Sequence, residues 1–116
     1  MTDLTGTMPQ LIAAAASDKK AFDIQILDMR NITLITDYFI ICSANSTTQA
    51  KAIADHVDEK LAEQGFKTLR REGYSEARWI LLDFGGCVVH IFLDDERRFY
   101  NIERLWGEAK TQLYDE

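Results

Sequence analysis

The stretch "RWILLDFGGCVVHIF", residues 78–92, contains two apolar segments that flank a Gly-Gly pair. Glycine adopts the positive φ angles that two-residue hairpin turns require, so the pattern predicts a β-hairpin with Gly85 and Gly86 at its tip. The turn sets the strand register and places Asp83 opposite Val88. Because side chains alternate along a strand, the hairpin presents two separate sets of residues, one on each face.

The two predicted faces differ in composition. The first face is apolar apart from one thiol: Ile80, Leu82, Phe84, Cys87, Val89 and Ile91. The second face combines large apolar side chains with a carboxylate and an imidazole: Trp79, Leu81, Asp83, Val88, His90 and Phe92. We expect helices to cover the first face. The second face has the composition of a protein-binding patch, in which aromatic residues accompany few charges.

A catalytic role for the second face lacks a nucleophile. Asp83 and His90 are diagonal neighbours in this register, and such a pair can orient a general base. However, Cys87 points to the opposite face and the hairpin contains no serine. No third metal ligand is visible, and His56 is predicted to stand alone on the outer side of a helix. The pattern therefore favours His90 as a surface or interface histidine beside Asp83.

The rest of the chain predicts three helices and three further strands. The first helix is expected to begin at a capping box at Thr7 and to end at residue 21. The other two helices are expected at 46–64 and 94–116, and the strands at 23–29, 37–44 and 66–72. Ser46 and Gln49 form a second capping box. The order α-β-β-α-β-β-β-α predicts one α+β domain over 1–116, with a mixed five-stranded sheet and helices mainly on one face.

Several further expectations concern individual residues. The third strand is polar and is expected near an edge of the sheet. In the last helix, the apolar residues at helical spacing are interpreted as packing residues: Phe99, Ile102, Leu105 and Trp106. Cys42 and Cys87 are expected to be buried, reduced thiols.

Charge and composition restrict the class of partner. The chain has 13 basic and 19 acidic side chains and a net charge of −6. Nucleic-acid binding normally needs a basic stripe, whereas an acidic surface favours basic protein partners. No targeting segment or membrane span is predicted, so we expect a cytoplasmic protein without a membrane partner.

A second functional hypothesis concerns the strand-to-helix turn Ser43–Thr48. A helix N-terminus with small polar residues can bind phosphate. The turn contains no glycine-rich loop and no Walker lysine, and the strand at 23–29 offers no paired carboxylates for metal-dependent transfer. A well-capped helix is the preferred interpretation. A small nucleotide-binding or nucleotidyltransferase-like enzyme remains the alternative.

Three segments together resemble a known family. The succession "ITDYFIICSANSTTQAKAIADHVDEKL", "EGYSEARWILLDFGGCVVHIF" and "ERRFYNIERLW" is similar to the Iojap family, the bacterial ribosomal silencing factors. The resemblance covers about residues 20–107 and keeps the order of the family's motifs. Two departures are visible: Ala44 replaces a frequent glycine, and Gly86-Cys87 replaces a more usual Gly-Asp or Gly-Val, which removes a possible acidic contact at the hairpin tip.

The resemblance implies a nucleotidyltransferase-like topology without the catalytic acids, hence no enzyme activity, cofactor or metal. It also implies binding to large-subunit ribosomal protein fourteen on the large ribosomal subunit. Such binding would sterically block joining of the small subunit and lower translation under nutrient limitation. Homodimers are a further implication of the resemblance.

The second face of the hairpin suits a basic partner of this kind. Trp79 is the predicted hot spot, because central aromatic residues often dominate interface energies. The residues expected to surround it are Leu81, Asp83, Val88 and His90. Glu72 and Glu76 are expected at the rim, where carboxylates can pair with arginines of the partner.

Overall fold

The computed structural model describes residues 8–114. Its helices are α1 (Met8–Asp18), α2 (Thr47–Glu63), α3 (Asp94–Tyr100) and α4 (Ile102–Leu105). Its strands are β1 (Phe22–Asp28), β2 (Tyr38–Ala44), β3 (Arg70–Glu72), β4 (Trp79–Asp83), β5 (Cys87–Leu93) and β6 (Lys110–Leu113). The α+β class is confirmed, and the predicted capping box at Thr7 lies outside the described residues.

The sheet has six strands in the order β3-β4-β5-β2-β1-β6. The β2–β5 pair is parallel and the other pairs are antiparallel, which makes the sheet mixed as predicted. The polar strand β3 lies at an edge, which confirms that prediction.

The prediction of five strands and one long C-terminal helix is wrong. The helix ends at Asn101, which has a left-handed φ of 46°, and a second short helix ends before Trp106. The chain then returns as β6, which pairs with β1 at the other edge of the sheet. The backbone hydrogen bonds that β1 offers at its open edge outweigh the weak helix preference of this exposed segment.

The central hairpin has the predicted register, with Asp83 opposite Val88 and Trp79 opposite Phe92. The amide of Phe84 donates to the Cys87 carbonyl across the turn at 2.9 Å. Gly85 has a φ of +89°. All six predicted residues of the first face belong to the main core.

Helices α1 and α2 cover the first face of the sheet. The predicted apolar stripe of α2 is fully buried there: Ala50, Ile53, Ala54, Val57 and Leu61. Cys42 and Cys87 are free and buried in the same core, and burial raises the pKa of each thiol to about 12. Both thiols are therefore protonated at neutral pH, and the expectation that they are buried is confirmed.

The N-terminus of α2 connects the two helices to each other. Ser46 caps the helix by accepting a hydrogen bond from the Gln49 amide at 3.1 Å, as predicted. The Gln49 side chain also donates to the carbonyls of Lys19 and Lys20, just beyond α1. The prediction that His56 stands alone is wrong. Its Nε2 lies 3.1 Å from a carboxylate oxygen of Asp18 in α1.

The C-terminal segment, which runs from α3 through β6 (94–113), covers part of the second face and contributes to a smaller core there. Its buried members are Leu27, Met29, Ile41, Phe92, Ile102 and Ala109, and half-buried Trp106 packs against them. The predicted packing role is thus confirmed for Ile102. It is wrong for Phe99 and Leu105, which are 80% and 73% exposed.

Arg97 attaches this segment to the sheet. The guanidinium is buried and donates through Nη1 to the Ser43 hydroxyl at 2.8 Å and to the Asp23 carbonyl at 2.6 Å. Its Nε donates to Glu103 of α4 at 3.0 Å. One side chain therefore joins α3, α4, β1 and β2. Within residues 8–114, none of the helices has the length and apolar character needed to cross a bilayer.

Gly73 provides a test of the loop that leads into β4. Gly73 and Gly65 both have a positive φ, which costs an L-residue about 1–2 kcal/mol. A Cβ at Gly73 would lie 2.1 Å from the Trp79 carbonyl oxygen, whereas nothing lies within 4 Å of one at Gly65. We expect Gly73→Ala to lower the free energy of unfolding clearly more than Gly65→Ala in urea titrations. Equal losses would contradict the packing of this loop.

Candidate functional site

The second face contains a cavity of about 180 Å³ beside the C-terminal segment. Four predicted site residues line it: Leu81, Asp83, Val88 and His90. Most of its remaining wall is apolar and comes from β2, the loop between β1 and β2, and the C-terminal segment: Met29, Ile35, Phe39 and Trp106. Strand pairing explains the grouping, since Leu81, His90 and Ile41 are in register across three adjacent strands.

His90 is buried within the chain, so the expectation of a surface histidine is wrong, whereas a role at an interface stays a prediction. Only 5% of the residue is accessible, and its Nδ1 accepts a hydrogen bond from the Trp79 indole N–H at 3.1 Å. Burial lowers the His90 pKa from 6.5 to about 4. At neutral pH the ring is therefore uncharged, and its proton resides on Nε2 because Nδ1 accepts.

Asp83 and His90 do not form a hydrogen-bonded pair. One carboxylate oxygen of Asp83 accepts from the Gly85 amide at 2.8 Å, and the other lies 3.9 Å from Arg70. His90 instead uses Trp79, as described above. Cys87 is buried in the core on the opposite face. The arrangement therefore provides neither an oriented general base nor a nucleophile on the second face.

Trp79 lies next to this cavity rather than in it. Its half-buried indole stacks on Phe92 and contacts Tyr100, with ring centroids 4.7 and 4.9 Å apart. On its other side is a polar cleft that Glu76 also lines. Six of the seven predicted site residues are thus divided between two concavities, which the hydrogen bond between Trp79 and His90 connects.

Glu72 lies on the same side of the sheet as Leu81, its partner across β3 and β4. Its carboxylate is exposed and forms an ion pair with Arg70 at 3.1 Å. Arg70 also lines the cavity. Glu72 and Asp83 therefore share one basic neighbour at the edge of the cavity.

Three exposed apolar residues lie near this cavity and were not predicted from the sequence. Ile35, which lines it, is 87% exposed, and Leu34 beside it is fully exposed. Leu69, which precedes Arg70, is 70% exposed. The signal for the first two was a Leu-Ile pair within a turn, where apolar residues have little core to enter. We call Leu34, Ile35 and Leu69 the apolar rim.

Several polar groups of the Ser43–Thr48 turn form hydrogen bonds within the chain. Ser43 is fully buried and its hydroxyl accepts from Arg97, while the amide of Asn45 donates to the Gln49 side chain at 2.7 Å. A concavity at this turn is lined by three carboxylates of α3: Asp94, Asp95 and Glu96. Arg78 also lines this concavity and pairs with Glu96, so the three acids outnumber the one base and disfavour phosphate. The part of the chain that the structure describes also contains no cluster of three His, Cys, Asp or Glu side chains suited to a metal ion.

The fold and this site define a small α+β domain whose mixed sheet is covered by helices on one face and remains partly open on the other. A family model described as "Ribosomal silencing factor during starvation" matches residues 5–116. The chain therefore belongs to the family of ribosomal silencing factors, RsfS.

Individual relatives agree with this membership. A ribosomal silencing factor from Bacillus subtilis is 49% identical over 100 residues, which are 86% of this chain and 85% of the relative. A crystal structure of a Chromobacterium violaceum protein has a TM-score of 0.86 at 33% identity and covers 99% of this chain and 95% of its own. A more distant mouse relative, named "Mitochondrial assembly of ribosomal large subunit protein 1", is 26% identical over 83% of this chain and 43% of its own length.

Burial of His90 predicts a particular pH dependence of stability. Between pH 6.5 and about 4 the unfolded chain binds a proton at His90 that the folded chain does not. The free energy of unfolding therefore falls as the pH falls through this window, by on the order of 1 kcal/mol per pH unit. The variant His90→Asn lacks the titrating imidazole. Its free energy of unfolding should therefore depend less steeply on pH than that of the unaltered protein, as measured by chemical denaturation at pH 7, 6 and 5. Parallel curves for the two proteins would contradict the assignment.

Proposed function

We propose that the chain binds large-subunit ribosomal protein fourteen through the second face of its sheet. The bound chain then occupies the intersubunit surface and sterically blocks joining of the small subunit. Translation falls under nutrient limitation as a result. The mechanism is occupancy of a surface and involves no chemical step.

One observation carries the proposal: an apolar cavity opens on the second face beside exposed aliphatic side chains. The apolar rim and the cavity wall form an area that is costly to leave in water, and such areas mark interaction sites. The helices α1 and α2 cover the opposite face, so a partner that needs an apolar sheet surface has only the second face to use.

Charge supports a basic partner. The chain carries a net charge of −6, and Glu72 and Asp83 lie at the edge of the cavity. Arg70 partly neutralises both, but an exposed ion pair contributes only about 0–1 kcal/mol. An arginine of the partner can therefore replace Arg70 at little cost.

Family membership supports a ribosome-associated role in repressing translation, and the name of the mouse relative concerns the large ribosomal subunit. The same face could instead bind a second copy of this chain, as the resemblance to the family implies. We propose that such a homodimer would compete with ribosome binding, because both would cover the apolar rim.

Ile35→Glu tests this face with a matched control. The side chain is almost entirely exposed, so the substitution leaves the core intact but places a charge on the cavity edge. We expect at least about tenfold weaker co-sedimentation with purified large subunits and a corresponding loss of inhibition of subunit joining. Leu113→Glu, at a 67% exposed residue of β6 on the opposite sheet edge, should bind like the unaltered protein.

Three results would contradict the proposal or favour an alternative. Equal binding by Ile35→Glu and the unaltered protein would place the contact elsewhere. If Ile35→Glu no longer forms dimers in sedimentation but still binds the ribosome like the unaltered protein, the face serves self-association. Heat on titration with nucleotides and magnesium would support the alternative at the Ser43–Thr48 turn.

A further inference from the structure

His90 retains an unused hydrogen-bond donor beside the cavity. Its Nδ1 accepts from Trp79, so the neutral ring carries its proton on Nε2. This Nε2 is buried and has no hydrogen-bond partner among residues 8–114. A buried donor without a partner is unfavourable, because it has given up its hydrogen bond to water. The ring therefore gains free energy from any acceptor that reaches it.

The cavity wall does not supply that acceptor. Its nearest ring is Phe39, whose centroid lies 4.7 Å from that of His90 in an edge-to-face arrangement. Leu81, Val88 and Trp106 offer no oxygen from their side chains. The hydroxyls of Thr33 and Thr36 also line the cavity, but Thr33 accepts from the Ile35 amide, Thr36 donates to the Tyr38 carbonyl, and neither bonds to Nε2. Asp83 uses its Oδ1 for the Gly85 amide. The His90 ring thus borders a mostly apolar cavity, and no side-chain oxygen of its wall bonds to the buried Nε2.

Water is poorly suited to fill this need. A buried water normally makes two to four hydrogen bonds, and it occupies a share of about 30 Å³ of liquid. The cavity measures about 180 Å³ and is mostly apolar. Its other polar side chains are Thr33, Thr36, Arg70 and Asp83, and each already contacts another group of the chain, so water there has few free partners. An inserted side chain would fill the volume and remove apolar surface from water at the same time.

We propose that the cavity receives one apolar side chain of the ribosomal partner, and that His90 Nε2 donates a hydrogen bond to an uncharged oxygen of the same segment. This inference rests on the proposed function and specifies what the partner inserts. A main-chain carbonyl or an amide or hydroxyl oxygen next to an aliphatic or aromatic group fits this description.

The same donor disfavours a basic side chain of the partner directly beside His90. Lysine and arginine carry donors only, so either one would meet the Nε2–H group without an acceptor. Glu72 and Asp83 at the edge remain available to them. His90 therefore separates the roles of a basic partner's residues: the apolar anchor enters the cavity and the cations stay at its edge.

Two substitutions of His90 separate its two nitrogens. His90→Asn keeps an oxygen near the Nδ1 position to accept from Trp79 but removes the donor at Nε2. His90→Gln places an amide N–H near the Nε2 position. In calorimetric titrations with purified large-subunit ribosomal protein fourteen, we expect about tenfold weaker binding for His90→Asn, the effect of one lost hydrogen bond. His90→Gln should bind within about threefold of the unaltered protein.

The possible outcomes distinguish this inference from the proposed function. If the unaltered protein fails to bind protein fourteen, the proposed function is wrong. If it binds and His90→Asn binds equally well, or both variants weaken equally, the inference is wrong. Should either variant fail to fold, nitrogen-15 NMR of the unaltered protein decides: the Nε2–H signal should shift on addition of protein fourteen, and an unchanged signal would overturn the inference.

Discussion

The constraint on which this structure depends is a central sheet that is apolar on both faces. The hairpin of β4 and β5 places aliphatic residues toward α1 and α2, but it also places Phe92, Val88 and Leu81 on the opposite side. Two helices can cover only one face. The C-terminal segment, attached through Arg97, covers the part of the second face around Phe92 and leaves the part around Leu81 open.

The open part is where packing and function meet. Trp79 stabilises the small core by stacking on Phe92, and its hydrogen bond fixes the tautomer of His90. An aromatic cluster thus supports the wall of a cavity whose opposite wall, at Ile35, is exposed. A substitution of Trp79 would disturb both the core and the cavity, whereas one at Ile35 affects the surface alone.

Sequence patterns predicted the features that depend on neighbouring residues. The Gly-Gly turn fixed the hairpin register, and the Ser46–Gln49 cap located the start of α2. The patterns missed β6, because its four residues are exposed and gain their structure only by pairing with β1 across some 85 positions. They also missed the burial of His90, since no local pattern shows that Trp106 and its neighbours return to cover the second face.

Long-range charge and short-range packing have separate roles in this account. The net charge of −6 attracts a basic partner over about a Debye length, roughly 10 Å at 0.1 M salt, and mainly affects the rate of association. The cavity acts only at contact and determines the rate of dissociation. Added salt should therefore slow binding more than it shortens the lifetime of the complex.

Hydrogen exchange measured by mass spectrometry on the chain bound to purified large subunits tests the central claim most directly. The account predicts that binding slows exchange in the loop at 33–36 and in the exposed edge strand β3, which lie on either side of the cavity. Exchange along the outer surface of α2 should be unchanged. Protection confined to α1 and α2, with residues 33–36 and 70–72 unaffected, would contradict the claim that the second face of the sheet meets the ribosome.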